Sequence, residues 1–181
     1  MTFKNPTDRY HLSSVALHWL MLALFIGVYA SIHLRELFDK GSAPREALKS
    51  LHFMLGLLMF ALVWLRLTMR IKHAAPGISP TPPAWQEAAA KAAHLALYAI
   101  MIGMPLMGWL LLSAAGKPIP FFGLQLPALI GPDKALAGQL KEVHELIGEL
   151  GYFLIGAHAV AALFHHYIKR DNTLLRMRWS T

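Results

Sequence analysis

Four segments of this 181-residue chain are long and apolar enough to cross a membrane, and the parts between them are too short to fold alone. A helix spans about 30 Å of hydrocarbon with roughly 17 to 25 apolar residues. Residues 12–34, 48–71, 88–114 and 143–168 meet that requirement. With 56% of residues apolar and 15% charged, the composition is too greasy for an ordinary water-soluble domain. The expected fold is therefore all-α, an integral membrane four-helix bundle in which residues 1–181 form one domain.

The connections carry their own signals. Residues 75–83 hold four prolines, which remove backbone donors and fix φ, so a stiff linker is expected there. Residues 116–138 contain Pro118, Pro120, Pro127 and Pro132 around the apolar run Phe121-Phe122-Gly123-Leu124, and are expected to fold back over the outer end of the bundle. Pro105 should kink the third helix. Asp171-Asn172-Thr173 is a good helix N-cap, predicting a short amphipathic tail over 171–179 with Leu174, Leu175, Met177 and Trp179 set against Arg176 and Arg178. Lys4 and Arg9 before an apolar run imitate a secretory signal, but the run exceeds a typical signal core and is expected to remain as a membrane helix.

Basic residues set the expected orientation. Lys4, Arg9, Arg66, Arg70, Lys72, Lys91, Lys169, Arg170, Arg176 and Arg178 fall on the side of the N-terminus, ten of the seventeen, and the other side holds seven of the ten carboxylates. Both termini are thus expected to be cytoplasmic. The net charge of +7 is mainly an orientation signal, and no nucleic acid partner is implied.

The chain has no cysteine, which excludes disulfides, Fe–S clusters, thiolate-bound metals and covalent c-type haem. Histidines remain, and ionisable groups inside a membrane are costly enough to suggest function. His144 and His158 are fourteen residues apart in the fourth segment. That is about 3.9 helical turns, so both rings share a face about 21 Å apart along the axis. Because the helices alternate in direction, His52 and His144 should lie within about one turn of their helix starts on the outer side. His18, His94 and His158 fall in an inner layer. One outer pair is defined, His52 with His144, while either His18 or His94 can partner His158.

A lone intramembrane histidine is most simply packing glue. Several histidines sorted into two layers favour two non-covalent b-type haems with paired imidazole ligands. Gly56, Gly148, Gly151, Gly156 and Ala157 would leave room for flat macrocycles. Zinc is the competing chemistry, given Glu142, Glu145 and Glu149 near His144, but no metalloprotease-like spacing accompanies them. His165, seven residues beyond His158, could hydrogen-bond a quinone carbonyl. His11, His33 and His73 lie at segment ends and are expected to be interfacial, as are Trp19, Trp64, Trp85 and Trp109. Arg35, Lys40, Arg45, Lys49, Lys117, Lys134 and Lys141 form an outer basic rim that could steer a small anion.

The run from Val143-His144-Glu145 through Leu150-Gly151-Tyr152-Phe153-Leu154-Ile155-Gly156-Ala157-His158 to Phe164-His165-His166-Tyr167 and Asp171-Asn172-Thr173-Leu174-Leu175-Arg176-Met177 resembles the bacterial di-haem cytochrome b561 family. Leu17-His18-Trp19-Leu20, His52 with Gly56, Arg66-Leu67, Ala93-His94-Leu95 with Tyr98 and Pro105, and Phe122-Gly123-Leu124 are similar to it as well. The resemblance covers nearly the whole chain. It implies two haem b groups, one held by His18 and His158 and the other by His52 and His144, with His94 a non-ligand beside the inner one.

The resemblance also implies an activity, superoxide:ubiquinone oxidoreductase of the bacterial inner membrane. Superoxide would give up an electron at the periplasmic face and ubiquinone would be reduced through the haem pair. His94 and His165 are the candidate quinone-binding residues. The expected partners are superoxide, ubiquinone and the lipid bilayer, with no obligate protein partner. The alternatives are a cytochrome b subunit passing electrons between quinol and a dehydrogenase or periplasmic protein, and a metal-binding transporter or structural membrane protein.

Overall fold

The computed structural model describes residues 9–179; Lys4 lies outside them. Four helices, α1 (Leu12–Leu34), α2 (Ala43–Lys72), α3 (Ala84–Ala114) and α4 (Lys134–Phe164), form a membrane four-helix bundle, each long and apolar enough to span. The helix starts follow from local chemistry. His11 caps α1, its ring nitrogen accepting from Ser13 N. Asp133 caps α4 by accepting from the backbone N–H groups of Ala135 and Leu136 at 2.9 and 3.0 Å. α3 opens directly after Pro83 and runs unbroken through Pro105.

α2 and α4 begin earlier than their apolar stretches, at Ala43 and Lys134 rather than near 48 and 143. The physical reason is local: Asp133 caps the first turn of α4, and Pro44 opens the first turn of α2 with φ already set for a helix. Lys49 bonds Glu46 on α2, and Lys141 bonds Glu145 on α4. His52 and His144 therefore lie deeper from their helix starts than the apolar pattern placed them.

The C-terminal end of α1 tightens into a 3₁₀ turn, Arg35–Leu37, and its carbonyls are satisfied by a side chain from α2. Arg45, only 8% exposed, donates through Nη1 to the carbonyls of Arg35 at 3.1 Å and Phe38 at 2.9 Å, and through Nη2 to Glu36 at 3.0 Å.

Packing is uneven. Met21 and Leu24 of α1, Met59 and Val63 of α2 and Met101 of α3 make the mid-bundle core. α1 packs on α2, α2 on α3 and α3 on α4, whereas α4 meets α1 and α2 through side chains rather than close backbone approach. Gly151 is the one fully buried residue of α4.

The 116–138 connection is more ordered than an irregular fold-back. Ile119–Phe121 (β1) pairs antiparallel with Leu124–Leu126 (β2), with Phe121 opposite Leu124. The two-residue turn between them has positive φ at both Phe122 (45°) and Gly123 (85°), as a type I′ hairpin turn requires. Ile119 packs with Leu57 and Leu112, seating the hairpin over the outer ends of α2 and α3.

At the opposite end the tail departs from an amphipathic helix. After α4 a π-helical turn, His165–Lys169, ends at Arg170 with φ 56°. Asp171 turns inward, 4% exposed, and accepts from Thr173 N at 2.8 Å, while helical geometry is limited to a 3₁₀ turn at Leu175–Met177. Arg176, expected on the polar face, is only 6% exposed; it donates to the Pro76 carbonyl and lies 5.5 Å over the Tyr10 ring. Asn172 accepts from Ser79 N at 2.9 Å, Trp19 donates to the Met177 carbonyl at 3.3 Å, and Tyr10 N donates to the Arg176 carbonyl at 3.1 Å. Tail, α2–α3 linker and the start of α1 therefore close one end of the bundle together.

Candidate haem centre

The structure gathers the intramembrane histidines into two layers. His52 of α2 and His144 of α4 have ring centroids 6.3 Å apart with an interplanar angle of 72°. His18 of α1 and His158 of α4 repeat that spacing, 6.3 Å at 63°. His94 of α3 also touches His158, at 5.5 Å.

These separations discriminate between ligand geometries. With a metal–nitrogen bond of about 2.0 Å and a centroid about 1.1 Å behind the nitrogen, two rings trans across one ion stand about 6.2 to 6.4 Å apart, against about 5.1 Å at two corners of a tetrahedron. Both 6.3 Å pairs match axial ligation. The His94–His158 spacing falls between the two values. Among the described residues no three His, Cys, Asp or Glu side chains cluster as a metal site would need.

Polar atoms around the pairs fit the same group. His52 Nδ1 is 3.0 Å from the Val28 carbonyl, a bond that fixes the ring and leaves Nε2 for a ligand. His144 Nδ1 is buried with no hydrogen-bond partner, on the edge of the ring that faces Gly108 of α3. Arg66 places Nη2 3.1 Å from His18 Nδ1 while its Nη1 is buried without a partner. A guanidinium with spare donors beside an imidazole pair suits a carboxylate such as a haem propionate.

The glycines divide in two. A Cβ on Gly56 or Gly156 would meet nothing within 4 Å, and one on Gly148 only the Met104 side chain at 3.7 Å. Gly151 is different, because a Cβ there would collide with the Tyr29 hydroxyl, which donates to the Gly148 carbonyl at 2.8 Å. Its smallness serves helix packing rather than a macrocycle. Gly108 of α3 was not singled out by sequence, yet a Cβ there would sit 3.5 Å from His144 Cε1. Arg66 could have been found: it lies fourteen residues past His52, on the same face of α2 at the inner depth.

The remaining histidines separate from this centre. His165 Nδ1 bonds Asp171 Oδ2. Burial pushes the Asp171 carboxyl up, but hydrogen bonds from His165 and Thr173 outweigh it and hold the group below its ordinary range. His33 bonds the Tyr152 hydroxyl at the outer end, and His11 stacks on His73 with centroids 4.0 Å apart at the inner end. On the outer rim Arg35 and Arg45 pair with Glu36, Lys49 with Glu46 and Lys141 with Glu145. Among the described residues Lys40, Lys117 and Lys134 make no ion pair.

Residues 9–180 match the family model of prokaryotic cytochrome b561. The chain belongs to the prokaryotic cytochrome b561 family. Like its relatives it is a multi-pass protein of the bacterial inner membrane and a haem b electron-transfer protein. It is 39% identical to cytochrome b561 homolog 1 of Escherichia coli (strain K12) over 170 residues, covering 94% of this chain and 97% of the relative. It is 36% identical over 172 residues to the probable superoxide oxidase CybB of Yersinia pestis, covering 93% and 95%. It is 31% identical over 178 residues to cytochrome b561 homolog 2 of Escherichia coli (strain K12), covering 98% and 95%.

Proposed function

We propose that this cytochrome b561 holds two haem b groups and oxidises superoxide at its outer face while reducing ubiquinone at its inner end. The carrying observation is the repeated 6.3 Å imidazole spacing at two depths along α4. His52 and His144 would hold the outer group and His18 and His158 the inner one. Bound there, haem b supplies a one-electron iron couple. Two superoxide ions then become two dioxygen molecules as one quinone takes two electrons and two protons to form quinol. Ubiquinone approaches the inner end beside His94 and His165, and both termini face the cytoplasm, as the basic residues favour.

The chain's own residues have assignable work. The Val28 carbonyl orients His52, Arg66 offers donors to a propionate, and the two imidazole pairs bridge α4 to α2 and to α1. The resemblance to a protein named as a probable superoxide oxidase supports the choice of electron donor.

Haem per chain by pyridine haemochrome, followed by quinone reduction driven by superoxide alone, tests the reading. Two haems and quinol formation are expected. A haem-loaded protein that superoxide cannot reduce would make it a cytochrome b subunit between quinol and a protein partner. A colourless protein from haem-replete cells would return the histidines to packing or metal binding.

A further inference from the structure

We propose that Asp171 is the positioning residue of a proton-delivering dyad with His165, an inference that rests on the quinone-reducing reading above. His165 opens the π-turn at the inner end of α4, seven residues beyond His158, and is partly buried. Its Nδ1–H donates to Asp171 Oδ2. That carboxylate is held from a second direction by Thr173 N, which donates to Oδ1 at 2.8 Å, and the Asp171 N–H donates to the His165 carbonyl at 3.2 Å. The geometry is stricter than a tail anchor needs, because Asn172, Trp19 and Arg176 already tie the tail to the linker and α1.

A nearly buried carboxylate bonded to one imidazole nitrogen fixes the tautomer and leaves the other nitrogen to exchange protons. Nε2 of His165 is then the donor. Arg176 faces Asp171 from the tail, with Tyr10 behind it; His166, Lys169 and Arg170 flank His165 on its own element. Quinone reduction needs protons at the end of the bundle that the tail and the α2–α3 linker close. When His165 carries protons on both nitrogens, its Nε2–H bond breaks as an O–H bond forms on the reduced quinone. The ring is left neutral with Nδ1–H still on Asp171, and it is recharged from water at the inner surface. Two such transfers accompany the two electrons taken from two superoxide ions.

The test uses the purified holoprotein, reduced stoichiometrically without oxygen and mixed with a short-chain ubiquinone, so that superoxide is not involved. Haem reoxidation and quinol yield are followed across the neutral pH range. Asp171→Asn is expected to keep both haems and to slow reoxidation about tenfold or more, with a displaced pH profile, and Asp171→Glu to recover part of the rate. Asn172→Ala, which removes a tail bond without touching His165, is expected to leave rate and profile as in the wild type. Unchanged rate and profile in Asp171→Asn overturn the dyad, and so does an equal slowing in Asn172→Ala, which would mark tail anchoring alone. If Asp171→Asn does not accumulate, Asp171→Glu is read in its place: an altered pH profile supports the dyad and an unaltered one overturns it. A wild-type protein that ubiquinone cannot reoxidise overturns the quinone reading itself, and the dyad with it.

Discussion

At the scale of single residues, four imidazoles carry the proposed chemistry and a few neighbours fix where they point. His144→Ala or His52→Ala should lower the haem content from two per chain to one, measured by pyridine haemochrome; a two-haem spectrum from either variant removes that residue from the ligand set. Gly108→Leu tests the cradle rather than the ligand. A Cβ at Gly108 already reaches ordinary contact with His144, so a branched side chain must push the ring off axis, and the outer group should be lost or its spectrum altered while the inner one stays. The histidine layers were legible because a helix converts sequence spacing into depth and face with little freedom. Gly108 and Asp171 were not: a glycine's role depends on what a different helix brings against it, and a buried Asp171 depends on the tail turning inward instead of continuing as a helix. The choice between His18 and His94 needed more than spacing too, since both lie at one depth on different helices and only their distances to His158 separate them.

At the scale of elements, apolar length fixed the existence of the four helices, while their ends were set by caps and side chains from elsewhere. Arg45 illustrates the difference. In the sequence it is one of seven outer cations, but in the fold it closes the carbonyl end of α1 through three hydrogen bonds. Arg45→Ala should therefore destabilise the protein by about 2 to 3 kcal/mol, since hydrogen bonds to charged groups are worth about 1.5 to 3 kcal/mol each and their carbonyls regain only partial solvation. Thermal unfolding in detergent reads that loss, and Lys40→Ala, on an unpaired cation, should leave the midpoint almost unmoved. The hairpin gives the opposite sign. Phe122 is 54% exposed and holds a φ of 45°, a conformation disfavoured for a bulky side chain by about 1 to 2 kcal/mol. The ring makes an edge contact on Phe121 with centroids 5.2 Å apart, so Phe122→Gly should raise the unfolding midpoint if relief of the backbone exceeds that contact, and a lower midpoint would show the ring contact to be worth more.

At the scale of the whole molecule, the two ends differ in electrostatics. The inner end is latched by a carboxylate held below its ordinary range, so the latch contributes fully above the unfolded value of about 3.9 and is lost as pH falls through the lower folded value. The thermal midpoint in detergent should fall through that acidic window, while Asn172, Trp19 and Arg176 still hold the tail. The outer end bears on how an anionic donor is drawn in. Composition alone offered seven cations there against seven carboxylates, too even a balance to predict attraction. In the fold Arg35 and Arg45 share Glu36, Lys49 pairs with Glu46 and Lys141 with Glu145, so any attraction rests on where Lys40, Lys117 and Lys134 stand relative to Asp39, Asp133, Glu142 and Glu149. Steering depends on the field outside the surface, where paired charges largely cancel and unpaired ones do not. Lys117 adjoins the hairpin that caps α2 and α3, on the flank of the His52–His144 layer. Neutralising it as Lys117→Gln should lower the second-order rate of haem reduction by superoxide about two- to fivefold at low ionic strength, and the difference should vanish in high salt as the Debye length shrinks to about 3 Å. Lys49→Gln, which frees Glu46, should slow the reaction by a comparable factor through the exposed carboxylate, and Lys49→Gln with Glu46→Gln should restore it. A Lys117→Gln rate that equals the wild type at every ionic strength would show that superoxide reaches the outer face without electrostatic guidance from this lysine.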